Sequence, residues 1–385
     1  MLRLTFLLIA ALDLFATQGF VSSNVCKKCH PIISKEYSAS MHKNASIHND
    51  PVHRAVWEKH PLKKSGKYVC ASCHTPTDTK IMQALKSKKS ALPEENAIQK
   101  NEPIGCAYCH RIKDIEIHAK ANLNILNETP KFYYASKEGK SEKRVVKFHE
   151  ESSFFGLSKK TAGSPFHTID YGNENFSDGK MCLGCHDHKR NDKGFAICSM
   201  DIESSEKSTN NCISCHMPQV EGSYSTIAKS KTHAYHGFTG LHNRPDMLKS
   251  YITLKATAKE GKLSVTLKNG ADHKLFAHPL RLAQLRIEIG RDGKTIRLEP
   301  VNFFTILGHN GKPAMPWSAD SILKQNVIKA HEEKRIDMAF TPRKGDEVRV
   351  TLGYYIVNPK AAGKLGITQK DFTTFRTLVS KIFFF

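Results

Sequence analysis

Ten of the eleven cysteines fall into one pattern, Cys-x-x-Cys-His, which occurs five times. The copies are Cys26-Lys-Lys-Cys29-His30, Cys70-Ala-Ser-Cys73-His74, Cys106-Ala-Tyr-Cys109-His110, Cys182-Leu-Gly-Cys185-His186 and Cys212-Ile-Ser-Cys215-His216. Composition alone would give roughly 0.02 copies, so the repetition reflects chemistry. Two cysteines three positions apart can each add to one vinyl group of a haem, forming two thioether bonds. The histidine that follows then lies beneath the iron as proximal axial ligand. Structural zinc would need paired Cys-x-x-Cys units and no histidine after each second cysteine. Disulfides would leave five matched histidines without a role. The reading is five covalently attached haem c groups, with His30, His74, His110, His186 and His216 as proximal ligands.

Twenty histidines less five proximal ones leave fifteen, three times what five sixth positions need. Histidine is the expected sixth ligand, and methionine would raise the potential. Four clusters hold the informative histidines. Ser40-Met41-His42 follows the first motif, and Ser164-Pro165-Phe166-His167 precedes the fourth. His233, His236 and His242 share the run HAYHGFTGLH after the fifth, and Asp272-His273 lies at a strand end. Cys198, outside every motif, reads as a small buried apolar residue. Iron ligation or sulfur chemistry is its sharper alternative.

From Cys26 to about Tyr355 the chain resembles the multihaem cytochromes c of the cytochrome c554 type. In that family attachment motifs are interleaved with distal histidines in local signatures. CHPIISKEYSASMH, from Cys29 to His42, resembles the opening signature. SPFH, the HxFxGxH run and the tract KNGADHKLFAHPLR resemble later ones. The resemblance implies His42, His167, His236, His242 and His273 as distal ligands. The last tract departs from the usual Gly-His-x-x-Pro by carrying Asp272 before the histidine. His53, His60, His118 and His233 stand as substitutes. Which distal histidine serves which haem is left open.

These ligands must be positioned by very little ordinary protein. Residues 1–23 read as a secretory signal peptide, with Arg3 as the basic start and an apolar stretch from Leu4 to Phe15. It is shorter than the roughly 20 apolar residues that span a bilayer. Residues 24–249 form the expected pentahaem domain, mostly α and irregular, with haem faces replacing side-chain packing. Residues 50–60 and 79–88 are its predicted helices. The polar stretches 86–103, 136–147 and 201–211 read as surface loops. After residue 250 the pattern changes to alternation, with turns at Glu260-Gly261, Asp292-Gly293 and Lys344-Gly345. This predicts a small all-β, immunoglobulin-like sandwich over 250–358. Phe372, Phe375, Leu378, Val379, Ile382 and Phe383 fall at helical spacing, which predicts a C-terminal helix within 359–385.

The formal charge is +21. Five ferric haems, each about −1 with ionised propionates, leave about +16. Such a surface suits acidic redox partners, anionic small molecules or anionic lipid, and nucleic acid is not expected for an exported haem protein. The expected role is electron transfer in the periplasm, at the membrane face or at the cell surface. Its partners would carry acidic docking surfaces or belong to a membrane-associated quinol-oxidising or terminal reductase complex. Self-association into a homo-oligomer fits too. The alternative is an oxidoreductase acting on a nitrogen or sulfur oxyanion or on hydroxylamine at one open haem. The pentahaem nitrite reductases replace one proximal histidine by lysine, and all five motifs here end in histidine. Bis-histidine ligation of every iron, and indifference to carbon monoxide, is the resulting expectation.

Overall fold

The structure, a computed structural model, describes residues 19–136, 145–152, 159–200 and 211–385. Most of the segment expected to be a signal peptide, through residue 18, and parts of two polar stretches, 137–144 and 201–210, lie outside the described residues.

Each attachment motif folds as about one helical turn. Four of them lie in or on the helices Ala71–His74, Cys106–Cys109, Leu183–His186 and Cys212–His216, and the first continues the helix Ser23–Lys27 by one further turn to His30. In the first three motifs the histidine N–H donates to the carbonyl of the first cysteine at 2.9, 2.9 and 3.0 Å. One turn puts residues i, i+3 and i+4 on a shared face, which is what two thioethers and an axial ligand require.

The two predicted helices form as Pro51–Lys59 and Thr79–Lys86. Asp50 caps the first by accepting from the Val52 N–H at 2.8 Å, and Pro51 occupies its first turn. Asp78 caps the second through the Ile81 N–H. The rest of the haem region is not only loop. Short hairpins pair Ile112–Glu116 with Leu123–Leu126, Lys189–Arg190 with Ala196–Cys198, and Gln219–Glu221 with Thr232–Ala234. A parallel pair joins Phe132–Tyr134 to Thr168–Asp170. These strands are too short for alternation to announce them. They carry candidate ligands, since His167 directly precedes one and His236 lies two residues beyond another.

The β region is a two-sheet sandwich around one core. A three-stranded sheet orders Ile252–Lys259, Lys262–Asn269 and Glu333–Asp337. The larger sheet has seven strands, centred on Leu282–Arg291 between Val301–His309 and Glu347–Tyr355. Ala283, Leu285, Ile287 and Ile289 alternate inward, meeting Leu254, Leu263, Val265 and Leu267 of the opposite sheet. This is the largest apolar core among the described residues. The haem region has only small clusters, such as Trp57 with Tyr68 and Ile81.

The chain end corrects the expected C-terminal helix and moves the sandwich boundary beyond 358. Residues Pro359–Leu365 and Lys370–Thr373 are short helices, but Arg376–Phe384 is an edge strand paired antiparallel with Glu347–Tyr355. The register slips there: Leu352 faces Val379 while Gly353 faces Thr377. The extra residue lets adjacent Leu378 and Val379 both turn inward. That break in alternation mimics helical periodicity in the sequence.

Arg291 grips Asp346 through Nε at 2.7 Å and Nη2 at 2.6 Å, and the Arg343 N–H also donates to that carboxylate. The Arg291 hydrogen bond, followed by lesser contributions, holds the Asp346 carboxyl below the usual carboxylate range. The unfolded chain therefore takes up the proton first. The pair's stabilisation is complete above an ordinary carboxylate pKa of about 4 and is lost as pH falls through the lower folded value. Asp346→Ala is expected to lower the sandwich Tm by several degrees at pH 7 and by much less near pH 2. Circular dichroism melts at both pH values check this, and equal losses at both would refute it.

Candidate haem-ligand array

An imidazole pair bridged by one iron has a fixed span. A metal–nitrogen bond of about 2 Å on each side, plus about 1 Å from each nitrogen to its ring centre, separates the centroids by about 6 Å. Four proximal histidines face a partner at that span. His30 lies 6.4 Å from His167, His110 lies 6.3 Å from His236, and His216 lies 6.2 Å from His273. His186 lies 5.9 Å from His42.

The backbone orients these rings. Nδ1 of His30 meets the Tyr224 carbonyl at 2.6 Å, that of His110 meets Tyr134 at 2.7 Å, and that of His216 meets Thr239 at 2.6 Å. Distal His236 and His273 bond the Ala234 and Lys274 carbonyls likewise, at 2.6 and 3.1 Å. A carbonyl holds the proton on Nδ1 and leaves Nε2 bare for metal. Nδ1 of His42 and of His167 is buried with no hydrogen-bond partner. Burial drives His42 and His236 to neutrality, both down to about 3. A neutral imidazole is the form that binds iron.

The second motif differs. The nearest imidazole to His74 is His53, only 4.0 Å away between centroids. Both Nδ1 atoms share the Ala45 carbonyl, at 3.2 and 2.9 Å. Nε2 of His53 meets the Tyr68 hydroxyl at 3.3 Å. No iron fits between rings this close. His53 stands where a distal ligand belongs but must move to become one. Lys189, on a neighbouring hairpin, is one of the charges that lower His74, after burial and His53.

The structure places His242 apart from the other four expected distal ligands. Among the described residues it faces Phe372, Arg281, Arg376 and His278, and no proximal imidazole is among these neighbours. The HxFxGxH spacing placed it near His236, but the chain turns between them and carries His242 to the sandwich. The substitutes have structural roles. His233 bonds Glu36 at 2.9 Å and the Gly222 carbonyl at 2.8 Å. His60 packs against Trp317, and exposed His118 pairs with Glu116. Cys198 is half-buried, with its thiol 3.6 Å from the His186 carbonyl. Tyr68, Lys189, His278 and Arg281 carried no spacing signal. Only His278 and Arg281 lie within a tract already singled out.

Contacts between motifs order the array. Electrostatic coupling sets Cys26 beside Cys106, Cys73 beside Cys185 and Cys182 beside Cys212, and the Cys106 N–H donates to Ser23 Oγ of the first motif's turn at 3.2 Å. Cys109 acts electrostatically on both Cys182 and Cys185. The first motif therefore abuts the third. The fourth abuts the second, third and fifth, and is a branch point.

Five attachment motifs and iron-spanning imidazole pairs define a multihaem c-type cytochrome with covalently bound haem c. The residues fit five haems: Cys26 and Cys29, Cys70 and Cys73, Cys106 and Cys109, Cys182 and Cys185, and Cys212 and Cys215 would supply the thioethers. The family model for cytochrome c554 and c-prime matches residues 25–111, which include the first three motifs and His42. The chain is similar in fold to a penta-heme cytochrome c552 from Thermochromatium tepidum, with a TM-score of 0.66 and 22% identity over 95% of this chain and 99% of that one. No curated protein matches the chain.

Proposed function

We propose that the protein is an exported electron-transfer cytochrome that passes electrons between redox partners through a branched array of five haems. The observation that carries this is the set of four imidazole pairs at iron-bridging span on motifs that neighbour one another, the first and third through Ser23 and the third and fourth through Asn124. Bis-histidine ligation at four centres favours outer-sphere transfer over substrate binding at iron. The immunoglobulin-like reading of the sandwich is supported by its two antiparallel sheets on one core. The sandwich also brings His273 to the fifth haem, so it acts as a clamp. Among the described residues no helix is long and apolar enough to cross a membrane. A periplasmic location and acidic partners, including a membrane-associated donor or acceptor complex, follow from the signal-like start and the basic charge.

Stopped-flow mixing with a reduced acidic carrier protein tests this reading. All five haems are expected to become reduced, with a second-order rate that falls by about ten- to a hundredfold between low and high salt. Failure of the haems to accept electrons, or a rate indifferent to salt, would sink the proposed docking.

The His53–His74 geometry favours a second reading, in which the second haem is open to small ligands. In that case the same array feeds electrons to one reactive iron, and the substrate is a nitrogen or sulfur oxyanion or hydroxylamine.

A further inference from the structure

A cavity of about 120 Å3 lies where the helix Pro51–Lys59 meets the sandwich. Its polar lining is Asp50, His242, His278 and Arg281, with Val52 and Leu280 among the apolar members. None of these residues belongs to an attachment motif or to the four imidazole pairs. Nε of Arg281 is buried with no hydrogen-bond partner. No ion pair joins Arg281 to Asp50 or to any other acid among the described residues. Asp50 spends Oδ1 on the Val52 N–H. An arginine donor shielded from water and left unmatched is costly, and a cavity beside it offers room for the missing acceptor.

We propose that this cavity binds a small oxyanion through Arg281, with His242 and His278 as flanking donors. Guanidinium geometry matches the paired oxygens of a carboxylate or an inorganic oxyanion. Two sources share that chemistry, a free anion from solvent and the propionate of a nearby haem. The cavity is far smaller than a porphyrin, so it takes the anionic group and not the macrocycle. Burial raises the Asp50 carboxyl, which eases an anion beside it. The site is independent of the electron-transfer reading.

Calorimetric titration of the haem-loaded protein with nitrate, and separately with sulfate, at constant ionic strength tests the free-anion source. One saturable site is expected. Arg281→Gln should weaken it by about ten- to a hundredfold, the loss of a charge-assisted hydrogen bond. Asp50→Asn should tighten it, and His278→Leu should weaken it, which keeps the test decisive if the arginine variant does not fold. An unchanged Soret band would place the anion away from the irons, and an anion-dependent Soret change would overturn this site as its location. For the propionate source, neither anion binds and Arg281→Gln shifts the midpoint potential of a single haem. No saturable binding together with unchanged potentials in the folded variants would overturn the proposal.

Discussion

Carbon monoxide added to the dithionite-reduced protein is expected to change the Soret band by an amount worth about one haem in five. The second haem is the expected site. Four proximal histidines face a partner at 5.9–6.4 Å, which a shared iron satisfies on both sides. His74 instead has His53 at 4.0 Å, with both rings tied to the Ala45 carbonyl. Closing the sixth position with His53 means drawing the rings about 2 Å further apart and giving up part of that hydrogen bonding. A ligand held against such a cost yields to carbon monoxide before a relaxed one does. His53→Ala should leave five haems attached and raise the carbon monoxide affinity, without adding a second responsive haem. His167→Ala should add one, because it opens the first haem. An unresponsive wild-type spectrum would close the array and remove the case for a reactive iron.

Deleting the fourth haem should split the array, whereas deleting the fifth should not. Replacing Cys182 and Cys185 by alanine is expected to lower the haem content from five to four and leave the first and third haems as a separate pool. After a rapid pulse of reductant, the first and third haems should then equilibrate with each other quickly, and the second and the fifth should each exchange with them only in slow phases. The control replaces Cys212 and Cys215, which also leaves four haems. There the rest stay connected through the fourth and should equilibrate in one fast phase. His186→Met offers a milder change that keeps the haem and raises its potential. That turns the branch point into a trap for electrons, visible as early reduction of one haem in a potentiometric titration. Identical kinetics in the two cysteine variants would refute the branch.

The attachment sites were legible because their chemistry is local. Two thioethers and a proximal nitrogen fit within one helical turn, so spacing in the chain is spacing in space. The same holds for the caps Asp50 and Asp78 and for the alternation of Leu282–Arg291. Distal ligands are different, since each comes from a segment remote in sequence. His42, His167, His236 and His273 were reachable through resemblance and not through any spacing rule. The same resemblance also selected His242, which the fold carries to the sandwich beside Arg281.

The chain by itself determined the number of haems, the ten cysteines and five histidines of the attachment motifs, and the β character of the C-terminal third. Tertiary structure alone decided which imidazoles face each other at iron-bridging span and which motifs are neighbours. It also decided that Arg376–Phe384 is a strand. That strand forms because the open edge of Glu347–Tyr355 offers unpaired N–H and C=O groups to whatever segment reaches it. Pairing of this kind depends on a distant partner, and no window of the sequence contains both members.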